Sequence, residues 1–77
     1  MFYTATQNRY PVKNTIKVER AIKGFTQEEL ARKVSVSRQT INAMEAGKYV
    51  PSTILALKIA RVFEKPVETI FILDEDD

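Results

Sequence analysis

The chain has 77 residues, 44% of them hydrophobic, with neither cysteine nor histidine and a formal net charge of +2. That length allows one small domain able to bury only about 60% of its unfolded surface, so tight helix packing or dimerisation must replace the disulfides it lacks. The missing Cys and His remove thiol chemistry, most zinc sites and the commonest general base, and no apolar run nears the ~20 residues that span a bilayer. No signal peptide is visible, and a cytoplasmic protein is expected.

Residues 1–13, MFYTATQNRYPVK, show no helical period. Phe2, Tyr3 and Tyr10 lend β character, and Pro11 permits only an edge strand, which predicts an arm with a short strand near residues 10–13. Asn14 is placed to cap a first helix over about 15–23, with Gly24 as its stop. Ile16 and Ile22 are expected to face inward, and Glu19 to pair with a neighbouring cation such as Lys23.

A second helix is predicted over about 26–33. Leu30, Ala31 and Val34 fall on one face, and Thr26 with Glu29 three residues on forms a capping box. Val34-Ser35-Val36 is too short for any element and must be a tight turn. Ser37 then caps a third helix over about 37–45, where Ile41 and Met44 share one side and Arg38, Gln39, Asn42 and Ala43 the other. Two helices joined by three residues follow the helix-turn-helix plan, with the small Ala31 where they must cross. Arg and Gln are long planar donors that pair bidentately with guanine and adenine edges in a major groove. An ordinary solvated face would carry more Glu–Lys pairs; this one has no acid before Glu45.

Gly47 follows as a residue of positive φ, and residues 48–51 make a loop. A fourth helix over about 53–63 is expected to bury Ile54 or Leu55, Leu57, Ile59 and Phe63, with Ala56 and Ala60 at close crossings and Lys58 and Arg61 exposed. Pro66 suits the first turn of a brief fifth helix, about 67–70. A β-prone run, residues 70–73, precedes an acidic tail. All twelve cations lie in residues 1–73 against six acids, a balance of +6 that residues 74–77 reduce by four. A basic body suits a polyanionic partner, although small soluble domains often carry such an excess.

The string Arg20, Gly24, Thr26-Gln27-Glu28-Glu29-Leu30-Ala31, then residues 36–42, Glu45, Gly47-Lys48, Pro51-Ser52, residues 56–63 and Ile70-Phe71 resembles the DNA-binding domain of the phage repressor/Cro-type (XRE) helix-turn-helix family. The likeness covers about residues 14–71 and is strongest to its minimal single-domain prokaryotic members. It implies an all-α, five-helix, lambda-repressor-like domain over residues 14–73, between an arm (1–13) and the acidic tail (74–77). The terminal segments could add a short two-stranded antiparallel ribbon.

The function implied by the resemblance is sequence-specific binding of double-stranded DNA by a transcriptional regulator, in the manner of a dimeric repressor on an inverted-repeat operator. No catalysis, cofactor, metal, membrane or small-molecule ligand is implied, and the place of action is the cytoplasmic nucleoid. The resemblance assigns base contacts to Ser37, Arg38, Gln39, Thr40, Asn42 and Ala43, and phosphate contacts to Gln27 and Lys48, with backbone amides near Lys48 as possible helpers. It assigns a structural ion pair to Arg20 and Glu45. The apolar C-terminal end, Val67, Ile70, Phe71, Ile72 and Leu73, with Tyr49 or Val50 as additions, is the expected dimer surface; for Ile70 and Phe71 the monomer core is an equally open reading. A protein-interaction module of the same fold, antitoxin-like or bridging, is the alternative. The chain departs from the family at Ser35 and Glu64, where glycine is common, at Glu19, where a large apolar residue is usual, and at Ala46, which lacks the phosphate-contacting Asn of phage repressors. If positions 35 and 64 keep positive φ, each costs on the order of 1 kcal/mol.

Overall fold

A computed structural model describes residues 12–73; the arm up to Pro11, including the expected strand residue Tyr10, and the acidic tail lie outside the described residues. Strand β1 (Val12–Asn14) leads into α1 (Ile16–Lys23), α2 (Gln27–Val34) and α3 (Arg38–Glu45), followed by α4 (Thr53–Phe63), α5 (Val67–Ile70) and strand β2 (Phe71–Leu73). The strands pair antiparallel, with Val12 opposite Leu73 and Asn14 opposite Phe71. The terminal segments therefore do form the expected ribbon.

The helix starts follow their cap chemistry. Thr26 accepts from the Glu29 amide and Glu29 reaches back to the Thr26 amide, closing the capping box. Ser37 and Ser52 accept from the amides of Thr40 and Leu55. Helix α1 differs from expectation by one residue. Thr15 stands at its N-cap without a side-chain bond, while Asn14 Oδ1 accepts from the Ile16 amide at 3.1 Å. Pro66 likewise sits at the cap of α5 rather than inside its first turn.

The first four helices end alike. The amides of Phe25, Val36, Lys48 and Lys65 donate five residues back, to the carbonyls of Arg20, Ala31, Ala43 and Ala60, at 2.9–3.2 Å. Such a closure needs a left-handed residue just before the donor. Gly24, Ser35, Gly47 and Glu64 provide it, with φ of 75°, 62°, 76° and 56°. The turns have thus kept their geometry, and Ser35 and Glu64 bear the strain. Ser35→Gly is expected to stabilise the domain by roughly 0.5–1 kcal/mol, the relief of the left-handed penalty less the added freedom of the unfolded glycine. The thermal midpoint should rise by several degrees; no rise would mean Ser35 is unstrained.

Leu30, Ala31 and Val34 of α2, Ile41 and Met44 of α3, and Leu55, Ile59, Ala60 and Phe63 of α4 form the core with Ile16 and Ile70. Phe25 stacks on Phe63 at 6.4 Å, with the Lys33 ammonium 4.9 Å from its ring centre.

Three expectations fail for reasons of helix rotation. Ile22 is 67% exposed: six residues at 100° each put it roughly 240° from the buried Ile16. Leu57 is 52% exposed, because Leu55 and Ile59 define the inward side of α4 and Leu57 lies nearly opposite; of the pair Ile54 and Leu55, it is Leu55 that is buried, as one of the two was expected to be. Glu19 is buried on the inward stripe of α1 and pairs with Lys65 at 2.8 Å rather than with Lys23, whose ammonium reaches Glu64 at 3.4 Å.

Candidate nucleic-acid interface

Helix α3 is fixed by its apolar side. Ile41 and Met44 are fully enclosed, which leaves Arg38, Gln39 and Asn42 exposed on the opposite side and Ala43 half-buried. Among the described residues, neither the Arg38 nor the Gln39 side chain has a hydrogen-bond or ionic partner. Ser37 and Thr40 share a hydroxyl–hydroxyl bond of 2.9 Å. One hydroxyl proton serves that bond, so the other remains available for an outside acceptor.

Behind this face lies an ionic anchor. Arg20 Nε donates to Glu45 Oε2 at 2.6 Å and a terminal nitrogen donates to Oε1 at 3.1 Å, while its other terminal nitrogen donates to the Phe25 carbonyl at 2.9 Å. Both side chains are enclosed, 16% and 8% exposed, so this is no loose surface pair of the kind that contributes ~0–1 kcal/mol. Burial pushes the Glu45 carboxyl upward, but hydrogen bonds from Arg20 and Gln27 and the charges of Arg20 and Lys17 together hold it below its ordinary value. The hydrogen bond to Glu45 raises the Arg20 guanidinium against an opposing effect of burial. The anchor ties α1 to the end of α3.

A second tie was not legible in the sequence. Asn14 Nδ2 donates to the Met44 carbonyl at 2.7 Å, so the residue that helps start α1 also holds the last turn of α3. Only its role as a cap had a local signal.

The two expected phosphate ligands fare differently. Lys48 is exposed just past α3, but its amide and that of Gly47 are engaged in the helix end, on Ala43 and Met44. The helping amides expected there are therefore occupied, and the ammonium is the donor left. Gln27 turns inward along the surface: its Nε2 donates to Asn42 Oδ1 at 3.2 Å and Glu45 Oε1 at 3.0 Å.

The expected dimer surface also divides. Ile70 is 0% exposed and belongs to the monomer core, so it is withdrawn from any surface between copies. Val67 and Phe71 are half-buried against that core. Ile72 and Leu73 are exposed, Leu73 by 67%. Beside them Val12, Val50, Leu57, Val67 and Phe71 line an open apolar cleft of about 230 Å³.

Comparison with known proteins places this geometry in context. A family profile described as helix-turn-helix matches residues 16–70. The chain is 53% identical over 66 residues to an uncharacterized HTH-type transcriptional regulator of Methanocaldococcus jannaschii, covering 86% of this chain and 100% of that one. A second such regulator, from Bacillus subtilis, is 47% identical over 66 residues, with 86% and 100% coverage. Among solved structures, a candidate DNA-binding protein from Bacteroides fragilis superposes with a TM-score of 0.72 at 28% identity, over 79% of this chain and 98% of its own.

Proposed function

The chain belongs to the helix-turn-helix family of DNA-binding transcriptional regulators, and on that premise we propose that it acts as a dimeric repressor reading an inverted-repeat operator through the major groove. The observation that carries this reading is the exposed face of α3, with Arg38 and Gln39 unengaged at the start of a helix whose last turn is tied down by Arg20 and Asn14. Arg38 and Gln39 read base edges, Thr40 or Ser37 adds the spare hydroxyl, and Asn42 and Ala43 extend the contact, Ala43 against a thymine methyl. Lys48 holds a phosphate on the flank.

One such helix covers too few base pairs for regulatory specificity, so two copies act together, with half-sites about 34 Å apart. The apolar surface of Ile72, Leu73 and the adjoining cleft is the contact between them, in which Val67 and Phe71 take part from their half-buried positions. Selection of bound duplexes from a random pool should enrich an inverted repeat, and a mass measurement in solution should return twice the 8.8 kDa of one chain. No enriched sequence would end the reading.

Leu73→Asp places a charge in that apolar contact. The variant is expected to run at half the parent mass and to lose operator affinity while its circular dichroism stays unchanged. Undiminished mass would move the dimer contact elsewhere. The alternative, a protein-interaction module, draws on the exposed apolar pair Val18 and Ile22 of α1, and it would be favoured by a stable fold that selects no DNA.

A further inference from the structure

Resting on that reading, we propose that Gln27 is a positioning residue rather than a phosphate ligand, and that it turns the Asn42 amide so that Nδ2 reads an acceptor on a base edge: a purine N7, guanine O6 or thymine O4.

The argument runs outward from the ionic anchor. Arg20 holds Glu45 through two hydrogen bonds, at 2.6 and 3.1 Å, and an ionised carboxylate can only accept. The Gln27 atom 3.0 Å from Glu45 Oε1 must therefore be its nitrogen. That same nitrogen lies 3.2 Å from the Asn42 amide, whose facing atom must then be its oxygen. An amide has two N–H groups; those of Gln27 are both engaged, on Glu45 and Asn42. Its remaining polar atom is an acceptor, which a phosphate oxygen would repel. Asn42, by contrast, keeps both N–H groups on an exposed side chain.

The sense of the outermost amide is thus dictated by a charge two residues behind it. Asn42 lies four residues after Arg38, hence one turn along the same face of α3. A donor held there in one orientation can address an acceptor in the groove without first choosing between its two flips. An unsupported Asn at this position would present oxygen and nitrogen with comparable ease. It would discriminate less.

The test uses the full chain and its selected operator duplex, at one salt concentration and well below each variant's thermal midpoint. Wild type, Asn42→Ala, Gln27→Met and the double variant are titrated, and base preference is profiled for each. Each single change is expected to weaken binding on the order of 10-fold and to flatten preference at the same base pair. The double variant should be no more than about 2-fold weaker than Asn42→Ala alone, because Gln27 acts only through Asn42. Additive losses near 100-fold would mean that Gln27 has its own contact with DNA and would overturn the proposal. A loss from Asn42→Ala that is uniform across sequences would do the same, by placing Asn42 on a phosphate.

Asn42→Asp supplies a second variant, nearly isosteric with the parent side chain. It still accepts from Gln27 but has no donor, so it should bind at least as poorly as Asn42→Ala; wild-type affinity would refute donor reading. Arg38→Ala separates the two levels of inference. If Arg38→Ala loses affinity while both Asn42 variants bind normally, only the role of Asn42 and Gln27 fails. If all three bind normally, α3 is not the reading helix.

Discussion

Glu45→Ala should destabilise the domain by roughly 3–5 kcal/mol, the range for removing one partner of a buried ion pair. The change leaves the Arg20 guanidinium enclosed, with the Phe25 carbonyl as its remaining acceptor, and takes from Gln27 one of its two acceptors. Small domains have only about 5–15 kcal/mol in total. At about 4–8 °C per kcal/mol for a chain of this size, the thermal midpoint should fall by more than ~10 °C. A fall of only a few degrees would show that water reaches the pair and that the anchor is ordinary surface electrostatics.

The same residue sets part of the acid response. Since the folded-state pKa of Glu45 lies below its ordinary value of 4.5, the unfolded chain binds the proton more readily. The stabilisation is complete above about that value and is lost as pH falls through the lower, folded value. Glu45→Gln, which keeps an acceptor for Arg20 but has no carboxyl to titrate, should lower stability at neutral pH and flatten the decline below pH 4.5. An unchanged acid limb would assign that limb to other carboxylates. Glu29 contributes in the same direction, its carboxyl held low chiefly by the Thr26 amide.

Arg38→Ala is expected to reduce discrimination at one operator base pair by about 10–100-fold, corresponding to a bidentate contact of ~1–3 kcal/mol. Lys48→Ala should instead weaken binding to all sequences alike and lower the slope of log affinity against log salt by about 0.9, one phosphate's share of counterion release. The distinction follows from placement. Arg38 opens α3 on its exposed side, whereas Lys48 lies beyond the left-handed Gly47 that ends the helix. Competition titrations with operator and random duplex at several salt concentrations separate the effects. Equal losses of specificity in both variants would abolish this division between reading and positioning.

Most of the frame was legible because it is encoded locally. The capping box at Thr26, the Ser37 cap and the glycines at 24 and 47 each act within a few residues, and all appear where their chemistry puts them. Ser35 and Glu64 were visible as departures, and the left-handed turn persists at both because the helix closure demands it. Arg20 and Glu45 could be paired only through the family resemblance, since nothing in a separation of 25 residues joins them.

What escaped the sequence was long-range or rotational. Glu19 lay within reach of Lys23 on paper, but the fold brings Lys65 to it from 46 positions away. Gln27 stood at a helix start, where a phosphate contact is natural, yet the crossing of α2 and α3 delivers its amide to Asn42 and Glu45. Ile22 and Leu57 are apolar and sit in helices, which says that they can be buried, not that they are.

By itself the sequence determined the number and order of the helices, their ends to within a residue, and the character of the α3 face, because caps, turns and periodicity are interactions between near neighbours. Tertiary structure alone decided which groups meet across the fold: the Asn14 amide with the Met44 carbonyl, Glu19 with Lys65, Gln27 with Asn42. Those meetings depend on how far each helix is rotated and where two of them cross. Both are set by the collective packing of Leu30, Ile41, Ile59 and Phe63 rather than by any local pattern.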